Sequence, residues 1–265
     1  MTDPSVDTSY WRLWLRIGVG RLMALMTGPE SVERSVRFHS VELPAAKSPL
    51  MALEESIYAT PMLPADFASV TVIVDTPDFA LMPARLSVPA FESSVRVMVP
   101  DAVGEIIATA PFGVPADVAL GMVCPVDQVN FLRRTFANPG FTHPLRAVAE
   151  YLSHVNASGN PRRAWAVLTA DTLLMVCFSE SGICFANRWT TEGSASNAAY
   201  YILAALPADC PLMIGGPAEL RNAVAEILRP YVDPVMPLTL SENLLYLLGA
   251  APDAPLDMLM QTQLS

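Results

Sequence analysis

The sequence predicts a mixed α/β protein in which one structural plan occurs twice. Both halves of the chain show the order strand, strand, strand, helix, strand, and each begins with a tight hairpin turn. Of the 265 residues, 52% are hydrophobic and 16% are charged, a balance typical of chains that fold around a core rather than stay disordered. A segment that does not repeat separates the two plans.

The first half opens with a predicted hairpin. Apolar side chains alternate with arginines and a tryptophan over residues 11–17, which predicts a half-buried strand. Gly18 and Gly20 form the tight turn. Ser48 followed by Pro49 is typical of a helix N-terminus, with serine as the N-cap. The predicted elements are strands at 11–17, 21–27 and within 32–43, a helix after Ser48, and a β-branched strand at 69–74.

The second half repeats this order with different residues. Asp171 and Thr172 lie in its first turn, and Ser194 is interpreted as a helix N-cap. Gly215 and Gly216 end a short buried strand and precede an amphipathic helix. The predicted elements are strands at 165–169, 173–178 and 183–189, a helix at 194–206, a strand at 211–214 and a helix at 218–228.

The middle segment, roughly 83–160, holds a different set of elements. They are a helix at 90–99, strands at 105–110 and 118–124, and helices at 126–136 and 143–155. A polar loop at 156–161 is the best boundary, so we expect an N-terminal half with an inserted middle segment at 1–160 and a C-terminal half at 161–265. The stretch 250–265 is interrupted by proline and aspartate, and we expect it to be partly mobile.

Charge and composition argue against several classes of function. The net charge is −10, whereas a nucleic-acid binder needs a basic face, and an anionic membrane surface would repel the chain. The four cysteines form no C-x-x-C pair, which favours a reducing cytoplasm. No apolar run approaches the about 18–20 residues that span a bilayer, and the N-terminus lacks the basic region of a signal peptide.

A duplicated β-β-β-α-β unit is the plan of the ribonuclease-H-like halves found in actin, sugar kinases and Hsp70-type chaperones. In those proteins, the two halves face each other across a nucleotide cleft. Four short stretches extend the comparison to a single family: FALMPARL at 79–86, FANR at 185–188, AYYIL at 199–203 and LMIGG at 212–216.

These stretches resemble a functionally uncharacterised bacterial family, a domain of unknown function common in gut anaerobes and similar in fold to the actin-like ATPase superfamily. The resemblance covers about residues 11–232. It implies an α/β fold of two ribonuclease-H-like βββαβα halves in an actin-like ATPase arrangement. It implies no activity, because that family has no established one.

The two phosphate turns of such a fold are each incomplete here. An actin-like ATPase carries an acid beside glycine, the acid holding Mg²⁺ through water and the glycine amides contacting phosphate. The first turn has the glycines and lacks the acid, whereas the second has Asp171 and lacks the glycine. The Gly215-Gly216 doublet stands where the superfamily lets adenosine approach, or it serves a strand-to-helix turn with positive φ. The candidate nucleotide-binding residues are Gly18, Gly20, Asp171, Thr172, Gly215 and Gly216.

Other chemistries find less support. Asp75 lies at the end of its strand and has two interpretations. It serves either as a base or magnesium partner, or as an N-cap or turn residue beside Pro77. The histidines are not at zinc-ligand spacing, so we expect no metal site, and His143 is interpreted as a helix-start residue. The sequence after Ser194 lacks the second glycine of G-x-S-x-G. Tyr200 and Tyr201 either stack on a base or place one ring in the core.

The residues therefore identify no catalytic group and establish no cofactor, although ATP with Mg²⁺ is the cofactor the resemblance would imply. We expect a non-catalytic actin-like module that acts through contacts with an unidentified protein partner. The alternative is an ATP-binding or weakly hydrolysing member of the superfamily. The cleft between the halves is either open or filled by side chains such as Arg21.

Overall fold

The computed structural model describes residues 7–18, 20–29, 35–156 and 163–264. After a short 3₁₀ helix at Thr8–Tyr10, the strands are β1 (Arg12–Gly18), β2 (Arg21–Thr27), β3 (Val36–Glu42), β4 (Ser69–Val74), β5 (Phe79–Pro83), β6 (Glu105–Ala108), β7 (Val118–Cys124), β8 (Gly140–Thr142), β9 (Arg163–Leu168), β10 (Thr172–Ser179), β11 (Gly182–Thr190), β12 (Leu212–Gly215) and β13 (Val235–Pro237). The helices are α1 (Pro49–Ala59), α2 (Val88–Met98), α3 (Val126–Thr135), α4 (Pro144–Asn156), α5 (Ala195–Ala205), α6 (Ala218–Leu228), α7 (Glu242–Ala250) and α8 (Leu256–Thr262).

The first sheet has five strands in the order β3-β2-β1-β4-β8. Strands β1, β2 and β3 form an antiparallel meander. Strand β4 is parallel to β1, and α1 supplies the crossover that parallel strands need. The predicted order of three strands, a helix and a strand is therefore confirmed in this half.

The second sheet repeats this arrangement in the order β11-β10-β9-β12-β13. Strands β9, β10 and β11 are antiparallel neighbours, and β12 is parallel to β9 after the crossover through α5. Ser194 caps α5 as predicted, because its side chain accepts a hydrogen bond from the backbone N–H of Asn197. Equivalent strands occupy equivalent places in the two sheets, so the predicted duplication is confirmed.

The middle segment forms a separate three-stranded antiparallel sheet in the order β5-β7-β6, covered by α2. Strands β6 and β7 and helix α2 were expected from the sequence, whereas β5 was not. Strand β5 pairs with β7, with Leu81 opposite Leu120. Its pairing partner lies about 40 residues away in sequence, and a five-residue segment next to proline has a weak local signal.

The prediction that β1 is half-buried is wrong. Trp14 is 2% exposed and Arg16 is 5% exposed, although both lie on the face expected to be polar. Leu13 and Leu15 pack on the other face with Leu53 and other residues of α1. The face of Trp14 belongs to the large core between the two sheets, to which α4, α7 and α8 also contribute. Both faces of β1 are thus covered, as is usual for a strand whose parallel neighbour is reached through a crossover helix.

The expectation of a partly mobile stretch at 250–265 is also wrong for the residues that the structure describes. Helix α8 packs against α4, and Met258, Leu259 and Met260 are completely buried. Proline and aspartate here begin a helix rather than disrupt one, because Pro255 is the N-cap and Asp257 lies in the first turn.

None of the helices in the described ranges is long and apolar enough to cross a membrane. The expected division between residues 160 and 161 falls at 157–162, outside the described residues, and it stays a prediction. On either side of that gap, α4 packs against β10 and β11, so elements of the two halves share one core.

Candidate functional site

A cavity of about 1110 Å³ lies between the two five-stranded sheets. The first sheet contributes the β1–β2 turn and the end of β4. The second sheet contributes the β9–β10 turn, β11 and the turn between β12 and α6. The segment 252–256, which leads into α8, lines another side. The cavity therefore stands at the junction of the two repeated units, where the duplicated plan predicts a cleft.

Five of the six sequence-predicted residues line this cavity: Gly18, Asp171, Thr172, Gly215 and Gly216. The sixth, Gly20, lies in the β1–β2 turn with a φ of +70° and is not among the lining residues. Arg21 borders the cavity as well, but it does not fill it, because its side chain is 37% exposed and its Nη2 lies 3.8 Å from Oε1 of Glu42. The structure thus brings together residues that are about 200 positions apart in sequence.

A buried network of charges forms one wall of the cavity, with Asp75 at its centre. Nη2 of Arg16 donates to Oδ2 of Asp75 over 2.8 Å, and Nε of Arg188 donates to Oδ1 over 2.9 Å. All three residues are 5–7% exposed. Arg188 belongs to the second sheet and Asp75 follows β4 of the first, so this network ties the two halves together.

A fourth member, Asp257, comes from α8. Nε of Arg16 donates to Oδ2 of Asp257 over 2.9 Å, while the other oxygen, Oδ1, is buried without a hydrogen-bond partner. The four side chains carry two positive and two negative formal charges. Their mutual pairing explains how charges survive in the interior, where an unpaired charge would be very costly.

The pKa values in this network shift in different directions. Burial alone would raise the pKa of the Asp75 carboxyl, but the Arg16 charge and the Arg188 hydrogen bond outweigh it and lower that pKa. Burial outweighs the Arg16 charge at Asp257 and raises its pKa. Burial would lower the pKa of Arg16, but Asp257 and Asp75 raise it. Asp75 is therefore held as a carboxylate beside charged arginine.

His143 lies close to this network and fills two structural roles. Its Nε2 donates to the carbonyl oxygen of Thr76 over 2.9 Å, and its Nδ1 accepts from the backbone N–H of Leu145 over 3.1 Å. The side chain is completely buried, and burial lowers its pKa to about 4. His143 thus lies at the start of α4, as the sequence predicts, and burial keeps it neutral.

The β9–β10 turn is closed by its own hydrogen bonds. The hydroxyl groups of Thr169 and Thr172 lie 2.8 Å apart, and Thr172 is 2% exposed. Asp171 is exposed, while its carbonyl oxygen accepts from the backbone N–H groups of Thr191 and Glu192. The carboxylate of Asp171 is therefore free to meet a ligand, whereas the Thr172 hydroxyl is already engaged.

The glycine doublet is required by the packing of the protein itself. A Cβ atom added to Gly215 would lie 2.7 Å from Cδ2 of Leu238, and one added to Gly216 would lie 2.5 Å from the carbonyl oxygen of Leu168. Gly216 also has a φ of +126°, which other residues rarely adopt. These steric limits agree with the interpretation that the doublet serves a strand-to-helix turn. They come from atoms of the protein itself, so they apply with or without a ligand.

The donor set at this wall does not fit magnesium. Magnesium prefers carboxylate and phosphate oxygens, whereas both oxygens of Asp75 accept hydrogen bonds from arginine. In the part of the chain that the structure describes, no group of three or more histidine, cysteine, aspartate and glutamate side chains is placed to hold a metal ion. Asp75 is thus neither a turn cap nor an available magnesium partner.

The family model for "Protein of unknown function (DUF3822)" matches residues 6–235, which is most of the chain. The protein belongs to this family. No protein with a curated description matches the chain. Residues 6–235 of the DUF3822 match include every member of the buried network except Asp257.

Comparison with solved structures shows which fold this DUF3822 member has. A Bacteroides thetaiotaomicron protein with an actin-like ATPase fold and unknown function has a TM-score of 0.79 at 14% identity, covering 97% of this chain and 96% of that chain. A structure of the PilM–PilN type IV pilus biogenesis complex has a TM-score of 0.56 at 12% identity, covering 95% and 98%. At these identities the likeness shows the fold alone, and the fold is actin-like.

Sequence reasoning missed the arginines that define the site. Arg16 and Arg188 each lie in a predicted strand, but an arginine in a strand also fits an exposed face, so the sequence alone does not show that these two are buried. Their common partner could not be found this way, because Asp75 is 59 residues from Arg16 and 113 from Arg188.

Proposed function

We propose that this DUF3822 protein is a non-catalytic actin-like module that works through protein–protein contacts. The observation that carries the proposal is the position of Arg16 at the wall of the cleft, where its guanidinium binds Asp75 and also the completely buried Asp257. A guanidinium charge thus stands beside the carboxylate at the end of β4, and that carboxylate is not available to a metal.

Phosphoryl transfer in nucleotide-dependent enzymes depends on metal ions that bridge the phosphates and neutralise developing charge. At this wall, two arginines and two aspartates already balance each other. Removing one partner of a buried pair costs about 3–5 kcal/mol, so a metal that displaced Arg16 would have to overcome a comparable cost. This supports a cleft that has lost catalysis while keeping its scaffold.

A second candidate function is nucleotide binding, with or without weak hydrolysis. Ligand pockets are usually about 300–1,000 Å³, and the cleft is of that order or larger. It is lined by five of the sequence-predicted residues and by Arg21 and Arg221, whose charges suit phosphate. The free carboxylate of Asp171 is the acid that ATP with Mg²⁺ would use.

Two measurements on the purified chain separate these candidates. Phosphate release from ATP with Mg²⁺ should stay at the level of a blank. Turnover that requires Mg²⁺ and is lost in Asp171→Asn would overturn the non-catalytic proposal. A thermal shift with ATP or ADP tests binding, since a ligand at a hundredfold excess over Kd adds about 2.7 kcal/mol of apparent stability. The absence of any shift at millimolar nucleotide would remove the second candidate.

The protein-contact part of the proposal is supported by a row of aromatic rings, of which three are partly buried against the core and one, Tyr200, is exposed. Tyr201 stacks on Trp189 at 5.4 Å, Trp189 stacks on Phe185 at 6.0 Å, and Tyr200 contacts Tyr201 edge-on. Tyr200 is 68% exposed, and exposed tyrosines are common energetic centres of interfaces. The PilM–PilN structure is a neighbour of the same fold solved as a complex.

Affinity capture with the tagged chain tests this contact. A specific partner should be captured by the natural chain, lost by Tyr200→Ala and retained by Tyr231→Ala. Tyr231 is the matched control because it is 71% exposed and lies outside the aromatic row. Equal capture by both variants would contradict a role for this row.

A further inference from the structure

A second cavity, of about 550 Å³, lies at the other end of the first sheet from the cleft. The cleft borders the last residue of β1 and Asp75, which follows β4, whereas this cavity borders the first residues of these strands, Arg12 and Ser69. Residues of β8, α4, α8 and the segment after β6 complete the lining. The two cavities therefore have no lining residue in common, and this one is independent of the function proposed above.

The sheet presents one polar face to this cavity. Arg12 of β1 is opposite Ser69 of β4, and Thr71 is opposite Gly140 of β8. Side chains alternate between the faces of a sheet, so Ser69 and Thr71 share a face, and Thr142 lies on the same face as Gly140. Hydroxyl groups and one arginine thus line the side of the cavity that the sheet forms, although most of the neighbouring sheet is apolar.

Two buried polar groups at the cavity have no partner. The Oγ1 atom of Thr142 is buried without a hydrogen bond, and this residue is 4% exposed. The Nε atom of Arg146, in the first turn of α4, is also buried without a partner. Buried polar groups are nearly always hydrogen-bonded in native proteins. Both residues line the same cavity, which favours a ligand with acceptor atoms there.

The described residues that line the cavity carry positive charge and no negative charge. Two arginines, Arg12 and Arg146, line it, and no carboxylate does, although the chain carries a net charge of −10. The acid one turn along α4 is Glu150, whose Oε2 accepts from the backbone N–H of Gly113. Burial lowers the pKa of Arg146, and the Glu150 charge only opposes that effect.

We propose that this second cavity is a binding site for a small oxyanion, a phosphate or a carboxylate group. The guanidinium of Arg146 binds the oxyanion through charge-assisted hydrogen bonds, which are the strongest kind available to a protein. The Thr142 hydroxyl donates a further hydrogen bond, and Arg12 adds charge at the rim. Occupation of the site supplies partners to both buried polar groups at once.

Isothermal titration calorimetry with inorganic phosphate, and in a second arm with succinate, tests the proposal on the full chain. We expect saturable binding of one anion per chain in at least one arm. Arg146→Met should weaken that binding at least tenfold, since it removes the partly buried positive charge. Thr142→Val keeps the shape of the side chain and should weaken binding about tenfold or more, the loss expected for one hydrogen bond to a charged group.

Arg37→Met is the matched control. Arg37 is a partly buried arginine that lines neither the cleft nor the second cavity, and its variant changes the net charge by the same amount. Its affinity for the anion should equal that of the natural chain. Absence of saturable binding in both arms, or equal weakening by Arg146→Met and Arg37→Met, would overturn the proposal. Thr142→Val removes an unsatisfied hydroxyl, so its melting temperature should be unchanged or raised. A loss of binding in this variant therefore cannot be attributed to misfolding.

Discussion

The Nε atom of Arg188 lies 2.9 Å from Oδ1 of Asp75, so a side chain of the second sheet is bonded to the end of a strand in the first. Nη1 of Arg188 donates to Thr190 in the same strand, which fixes the direction of the guanidinium. In an actin-like fold the two halves meet at their cleft. In this protein a buried ion pair holds them together at that place.

Breaking this bond should destabilise the protein. Arg188→Met leaves Asp75 with one arginine instead of two, and we expect the free energy of unfolding to fall by about 3 kcal/mol. Urea denaturation followed by circular dichroism measures the change. Arg229→Met is the control, because its ion pair with Glu226 is 73% and 64% exposed and should contribute less than about 1 kcal/mol. Similar losses in both variants would contradict a special role for Arg188.

Helix α8 should behave as part of the core. Leu259 is completely buried, so Leu259→Ala should lower the free energy of unfolding by about 3 kcal/mol through lost burial and a cavity. Leu245→Ala on α7 removes the same atoms from a side chain that is 54% exposed and should cost much less. Hydrogen exchange adds an independent check: slow exchange is expected for α8, and rapid exchange of its amides would contradict the packing.

The stability of the protein should depend on pH through His143. Burial lowers its native pKa to about 4, below the ordinary value of 6.5. Between these values the unfolded chain binds a proton that the native protein does not. Stability is therefore lost as the pH falls from 6.5 to 4, by about 3 kcal/mol for this group.

His143→Gln should flatten this dependence, because glutamine does not titrate and can still donate to Thr76. The measurement is urea denaturation at a series of pH values from 7 to 4. His154→Gln, in a side chain that is 63% exposed, should keep the slope of the natural protein. An unchanged slope in His143→Gln would show that another group causes the loss.

Gly216 and Gly249 should respond to alanine with opposite signs. Alanine at Gly216 combines a φ of +126° with a Cβ atom 2.5 Å from the carbonyl oxygen of Leu168, and we expect a loss of at least about 2 kcal/mol. Gly249 lies in α7 with nothing within 4 Å of an added Cβ, so alanine there should add about 0.5–1 kcal/mol. Thermal melting of both variants without ligand is the measurement. A neutral Gly216→Ala would favour a ligand as the reason for that glycine.

The repeated elements were predictable because their signals are local. The strand at 69–74 and the helix at 218–228 agree with β4 and α6 residue for residue, since β-branched runs and amphipathic periodicity lie between clear breaks. The glycine turns that border the cleft were predictable for the same reason, because glycine is a local signal of a tight turn. The duplicated order then placed those turns opposite each other.

The remaining features depend on contacts between distant segments. Strand β8 has three residues and exists through its pairing with β4, so its sequence carries little signal of its own. The burial of Arg16 is set by Asp75 and by Asp257, which lies 241 residues away. A strand pattern with arginine at alternate positions indicates an exposed face unless such partners are known, and this is why the burial of β1 was predicted wrongly.

The bond between Arg16 and Asp257 also affects when the protein can finish folding during its synthesis. Ribosomes add about 5–20 residues per second, so Arg16 is made on the order of ten to fifty seconds before its partner. During that interval the first sheet can form its hydrogen bonds, but its central strand carries a guanidinium whose second carboxylate has not been synthesised. Completion of the interior must therefore wait until α8 has been synthesised, and a chain that stops before α8 leaves the ribosome with an unbalanced charge inside its first sheet.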